Sequence, residues 1–191
     1  FGFTSSSDAV AAEPLAAQLG MTMVAAHASA TVLRTTNFVP NFAAVAVSDY
    51  LSQNASPTFL RRKFPNVHTW NIYGYDYLTG HEGWNNFKTQ MAARDRSFAV
   101  NKETFIPLTA TDLTPYITSG LNGLASDSNK NQGAYVFLFG AGEVNLFKQG
   151  APYNLSKRYK VILTQGGGFE ALADTLKTDT PESWVGYDYS Y

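Results

Sequence analysis

His68 and His81 flank the aromatic segment Trp70 to Tyr77, which also carries Asp76, and Glu82 follows His81 directly. Two imidazoles and a carboxylate drawn to one point would form a ligand set for a first-row divalent metal. The spacing is not that of HExxH, because Asn85 stands where the second histidine would be. Convergence would therefore depend on the segment folding back on itself, and the simpler expectation is two surface histidines at a strand end. His27, one turn beyond Met23 in a helix-like segment, reads as a packing residue.

Asp76, Glu82, Glu143 and Asp188 lie among aromatic residues that could stack on a sugar. Glycoside hydrolysis needs two carboxyls at a set separation, and nothing in the sequence sets one. No Gly-x-Ser-x-Gly elbow is present for a serine nucleophile. Gly166, Gly167 and Gly168, between a strand-like and a helix-like segment, have the outline of an anion-cradling turn. The dinucleotide and P-loop patterns are both missing, and Phe169 and Glu170 put a bulky ring and a negative charge where an anion would sit. No cofactor and no metal are expected. Asn154-Leu155-Ser156 fits the N-glycosylation acceptor pattern.

Composition limits the classes further. The 191 residues are 45% hydrophobic and 14% aromatic, enough to build a core and to set aside whole-chain disorder. Only 15% are charged and the formal net charge is -1, so the clustered cations of a nucleic-acid binder are missing. Arg61, Arg62 and Lys63, and the looser Lys157, Arg158 and Lys160, read as solvated surface. Without cysteine there is no disulfide, thiol nucleophile or Cys-ligated zinc. No apolar run is long enough to suggest a transmembrane helix.

Stepping along the chain, residues 1–12 read as an extended arm and Glu13 to Thr35 as a helix, with Pro14 in its first turn and Leu15, Leu19, Met23, Ala26, Ala30 and Leu33 at helical spacing. Phe42 to Gln53 suggests a second helix, and Ser56-Pro57 a short turn of helix ended by Pro65. Val67 to Tyr77 favours a strand, Trp84 to Arg94 a helix, Arg96 to Ile106 extended chain, and Thr111-Asp112 a cap for a helix from Leu113 to Leu124. Ala134 to Phe139 is an apolar run without alternation, hence a strand buried on both faces, with Val144 to Lys148 as its hairpin partner. Tyr159 to Thr164 is a further strand and Gly166 to Lys177 an amphipathic segment. Gly74-Tyr75-Asp76-Tyr77 recurs as Gly186-Tyr187-Asp188-Tyr189, a likeness of turn chemistry rather than a repeat architecture.

The expected fold is α+β, a helix-rich N-terminal third packed on a mainly antiparallel sheet, with a single globular domain over 13–177 and an extended tail over 178–191. With no catalytic signature, low charge and aromatic ends, the expected function is that of a non-enzymatic, self-assembling subunit of a virus particle or extracellular filament. Its partners would be copies of itself in a homo-oligomer, and other structural subunits, and its place extracellular or in the virion. Phe1, Phe3, Trp184, Tyr187, Tyr189 and Tyr191 would be the interface anchors. The alternative is a secreted carbohydrate-binding module or hydrolase using an aromatic groove around Trp70 to His81.

Overall fold

The computed structural model describes residues 2–165 and 169–187. Helix α1 (Ser6–Gln18) starts where the Ser5 hydroxyl accepts a hydrogen bond from the Asp8 amide, inside the stretch expected to be an arm. It stops early because Gly20 adopts φ +63°, a left-handed conformation that lets the Gly20 and Met21 amides donate to Ala17 and Ala16 and close the last turn. The expected helix to Thr35 is therefore cut short. Met23–Ala25 extends instead as β1 and pairs in parallel with β2 (Phe42–Ala44). Ser48 caps α2 (Asp49–Lys63), which absorbs Pro57 without ending.

From there strands and helices alternate: β3 (Thr69–Tyr75), α3 (Leu78–Arg94), β4 (Ala99–Ile106), α4 (Thr114–Leu121), α5 (Ser128–Asn131), β5 (Gln132–Phe137), α6 (Ala141–Gly150), β6 (Val161–Gln165), α7 (Phe169–Leu176) and β7 (Trp184–Tyr187). The five later strands form one sheet in the order β4-β3-β5-β6-β7, and every pairing is parallel. This α/β architecture corrects the expected antiparallel α+β sheet. The decisive segment is Val144 to Lys148, which lies within α6 rather than forming a hairpin partner. A helix of this length carries the chain back to the starting edge of the sheet, so the next strand must run parallel.

Both faces of the sheet are covered. Trp70, Ile72, Tyr135, Phe137, Val161 and Leu163 pack with Leu60 of α2 and Trp84, Phe87 and Met91 of α3. On the other face Tyr73, Tyr75, Ala134, Val136 and Ile162 pack with Ile117 of α4 and Leu146 and Phe147 of α6. A third cluster, built on Ala9, Met23, Ala25, Leu33 and Phe42, joins α1 to β1 and β2. Trp70 and Tyr73 are fully buried, so the carbohydrate groove expected around Trp70 to His81 is core instead.

The sheet interior holds one polar knot. Asn71 Nδ2 donates to the Gly120 carbonyl at 2.7 Å and to the Tyr159 hydroxyl at 2.9 Å, and the Tyr73 hydroxyl lies 2.9 Å from that of Tyr159. Burial pushes the Tyr159 phenol up to about 12 and that of Tyr73 up as well, so both stay neutral donors and acceptors. Gly120 lies so close to Tyr73 that an added Cβ would overlap its hydroxyl. Gly120→Ala should therefore lower the urea midpoint at unchanged slope, a loss of about 1–3 kcal/mol for overpacking. Wild-type stability in this variant would show that the ring moves aside freely.

Candidate functional site

In this strand order the chain steps from β3 outward to β4 and then back across to β5. The connection leaving β3 runs through α3 to β4, and the one leaving β5 runs through α6 to β6 on the other side; departing in opposite senses, they open a crevice at the carboxyl ends of β3 and β5, the usual ligand position in a doubly wound sheet. Beyond β3 come Asp76 and Tyr77 and the start of α3; beyond β5 come Leu138, Phe139 and Gly140 and the start of α6. Neither helix has a side-chain cap at its N-terminus. Two positive helix ends thus face one opening.

Aromatic rings form the floor. Phe139, 48% exposed, packs edge-on against Tyr75 with centroids 4.7 Å apart and against Tyr77 at 6.1 Å. Tyr75 is a wedge between the two helix starts. An added Cβ on Gly142 would overlap its hydroxyl, and one on Gly80 would overlap its carbonyl oxygen. Burial raises the phenols of both Tyr75 and Tyr77, the latter eased by a hydrogen bond with Thr79, so neither carries charge near neutral pH.

A third wall comes from the N-terminal unit. The Ser6 hydroxyl accepts from the Ser29 and Ala30 amides, each at 3.1 Å, drawing the loop after β1 onto the first turn of α1. This unit meets α3 along one helical stripe: Leu78 packs into the third cluster, Glu82 accepts from the Thr31 amide at 2.7 Å, and Asn86 lies at 3.5 Å from the Thr31 hydroxyl. The Ser29 carbonyl and the Thr31 hydroxyl in turn accept from the Asp49 and Tyr50 amides, fixing the first turn of α2 so that the Asp49 charge bears on Tyr77.

Glu143, in the first turn of α6, is fully buried. Neither of its oxygens makes a well-formed hydrogen bond; the Thr164 hydroxyl, which accepts from Trp184 Nε1 at 2.6 Å, is the polar group that bears on it. Burial pushes this carboxyl up to about 7, and Thr164 offsets only part of the rise.

The expected metal constellation is split apart. His68 lies just before β3, where its Nδ1 sits 2.7 Å from Asp95, which also pairs with Arg61 at 3.2 Å. His81 lies beyond the other end of the strand, 2.8 Å from Asp76 and stacked on Phe105. Glu82 is engaged with Thr31, and among the described residues no three metal-ligating side chains cluster. His27 is exposed in the loop after β1 rather than on a helix. Phe3 packs on the third cluster and Trp184 on Phe147, so both turn toward their own chain. Phe1, Tyr189, Tyr191, Asp188 and Gly166 to Gly168 lie outside the described residues, as does the side chain of Tyr187. A second groove, of about 880 Å³ and bordered by Lys157, Lys160 and Trp184, opens at the opposite, amino-terminal edge of the sheet, away from both helix starts.

No family model matches the sequence, and no curated protein matches it. Solved structures share the fold. A solute-binding protein of an ABC transporter from Rhodopseudomonas palustris BisB5, in complex with 3,4-dihydroxybenzoic acid, is 22% identical with a TM-score of 0.68, over 87% of this chain and 42% of that one. An amino acid ABC transporter substrate-binding protein from Pseudomonas fluorescens Pf-5 is 16% identical with a TM-score of 0.76, over 97% and 47%. A benzoate complex of an R. palustris solute-binding protein is 19% identical with a TM-score of 0.69, over 89% and 45%. The chain thus spans less than half the length of these structures. Their likeness overturns the expectation of a self-assembling virion or filament subunit with copies of itself as partners: these structures are of solute- or substrate-binding proteins of ABC transporters.

The buried Glu143 carries a consequence for stability. Its carboxyl titrates at about 7 in the folded chain against 4.5 as the ordinary value. Below pH 4.5 both states hold the proton and the folded state is at its most stable; as pH rises through about 7 the unfolded chain ionises the more readily, and stability falls. Between pH 5 and pH 8 urea unfolding should register a loss of about 2.5 kcal/mol in the wild type, absent from Glu143→Gln. Equal losses in the two proteins would place the ionised carboxylate in water.

Proposed function

We propose that this chain forms a lobe of an extracytoplasmic solute-binding protein and presents the β3–β5 crevice to a small organic carboxylate. The observation that carries this reading is the half-exposed Phe139 ring, set over Tyr75 and Tyr77 between two helix N-termini without side-chain caps. An anion is favoured at such helix ends, and an apolar or planar body fits against the rings. The fold neighbours that hold benzoate or 3,4-dihydroxybenzoic acid support the same solute class. Among the described residues no helix is long and apolar enough to cross a membrane.

Periplasmic binding proteins close two domains around the ligand on a hinge. A single wall forms part of that enclosure, so binding by this chain alone should be weak, with Kd around 1 mM, or about −4 kcal/mol. The test is an amide chemical-shift titration with benzoate. Shifts at residues 76–81 and 139–143 that saturate, and that weaken about tenfold in Phe139→Ala, are expected. Shifts confined to the groove around Lys157 and Lys160, or none, would refute the assignment.

A further inference from the structure

We infer that Glu143 is a proton-operated gate on anion binding at the start of α6: protonated, it admits an anionic solute to the crevice; ionised, it repels one. The inference rests on the crevice reading above and adds a regulation to it.

Three features place the gate. Glu143 is the third residue of α6, which at 1.5 Å per residue puts it about 5 Å along the axis from Gly140, at the mouth of the crevice. It is fully buried with no hydrogen-bond partner of good geometry, so its charge when ionised is not neutralised within the protein. The groups recorded beside it are neutral: the Thr164 hydroxyl of β6, which accepts from the Trp184 indole of β7 and keeps its own proton to offer the carboxylate, and, one residue back along α6, the Tyr75 ring against Gly142. Farther off, α4 contributes Tyr116, α6 itself Lys148, α7 Asp174, and the short helical turns after α6 Lys157 and Arg158; among the described residues none of these ion-pairs with Glu143. An anion at the helix start would meet the Glu143 charge through protein rather than water, where repulsion is strong. Burial already raises the carboxyl toward neutrality, so a modest change in pH moves the gate.

The linkage is reciprocal: if the proton favours the anion, the anion must favour the proton. The probes are benzoate, ionised from pH 6 to pH 8, and benzamide, its neutral isostere. Wild-type affinity for benzoate should fall about tenfold from pH 6 to pH 8, that for benzamide should hold, and Glu143→Gln should bind benzoate equally at both. A pH-independent benzoate affinity in the wild type, or the same pH dependence in Glu143→Gln, would overturn the gate and leave the crevice intact. Failure of both probes at both pH values would remove the crevice assignment and the gate with it. Should Glu143→Gln not fold, the carbon-13 shift of the wild-type Glu143 carboxyl decides: benzoate must raise its titration midpoint, and an unmoved midpoint overturns the gate.

Discussion

Strand β3 has no solvent face. Every residue from Trp70 to Tyr75 is buried, with β4 on one edge, β5 on the other, and helices above and below. A strand so enclosed must find all its backbone partners in the sheet and alternate its side chains between two separate cores. The other features follow from that requirement. With β4 on one edge and β5 on the other, the connection leaving β3 toward β4 and the one leaving β5 toward β6 part in opposite senses, and they leave the crevice open where β3 ends. The aromatic chemistry at the opening is the continuation of the same strand: Tyr73 is core, Tyr75 is a wedge between helices, and Tyr77 borders the approach.

Where the sequence was informative, the signal came from composition on the scale of one element. Val67 to Tyr77 and Ala134 to Phe139 read correctly as strands because β-branched and aromatic runs suit a pleat covered on both sides. The cap expected at Thr111-Asp112 falls one residue short: α4 begins at Thr114 with Leu113 at its N-cap and no side-chain cap, although the Asp112 carboxylate accepts from the Thr114 amide. Strand direction was harder to see. Val144 to Lys148 is apolar enough for a strand, and only its place in a longer helix, from Ala141 to Gly150, shows that it is a crossover. The N-terminal third misled for a different reason: alanine-rich spacing continued past Gly20, and the glycine that ends α1 was the stop signal overlooked.

The site was partly legible. Asp76 and His81 stood out as titratable groups near aromatic residues, and they are indeed paired, but on the β4 side of the strand end. Phe139, Gly140 and Gly142 carried no signal in isolation, since their role comes from where α6 begins relative to Tyr75. Glu143 was weighed as one of a pair of hydrolytic carboxyls; its importance lies instead in having no charged partner. The small unit of α1, β1 and β2 depends on Arg34, whose guanidinium donates to the carbonyls of Ala28, Ala30 and Ala46 and so ties the loop after β1 to the loop after β2.

Asn71 has a further meaning. Its side chain is surrounded by Gly120, Tyr159 and Asn101, groups from three other parts of the chain, and each hydrogen bond needs the amide at one height along the sheet. A slip of β3 by one residue would turn Asn71 toward the Trp84 and Phe87 side and carry Trp70 and Ile72 into the space beneath α4. Hydrophobic burial alone is tolerant of such mistakes, because one large apolar residue can stand in for another. A single buried amide is not tolerant, and so it acts as an alignment pin, setting which rung of the sheet β3 occupies and thus how far Tyr75 and Tyr77 protrude beyond its end.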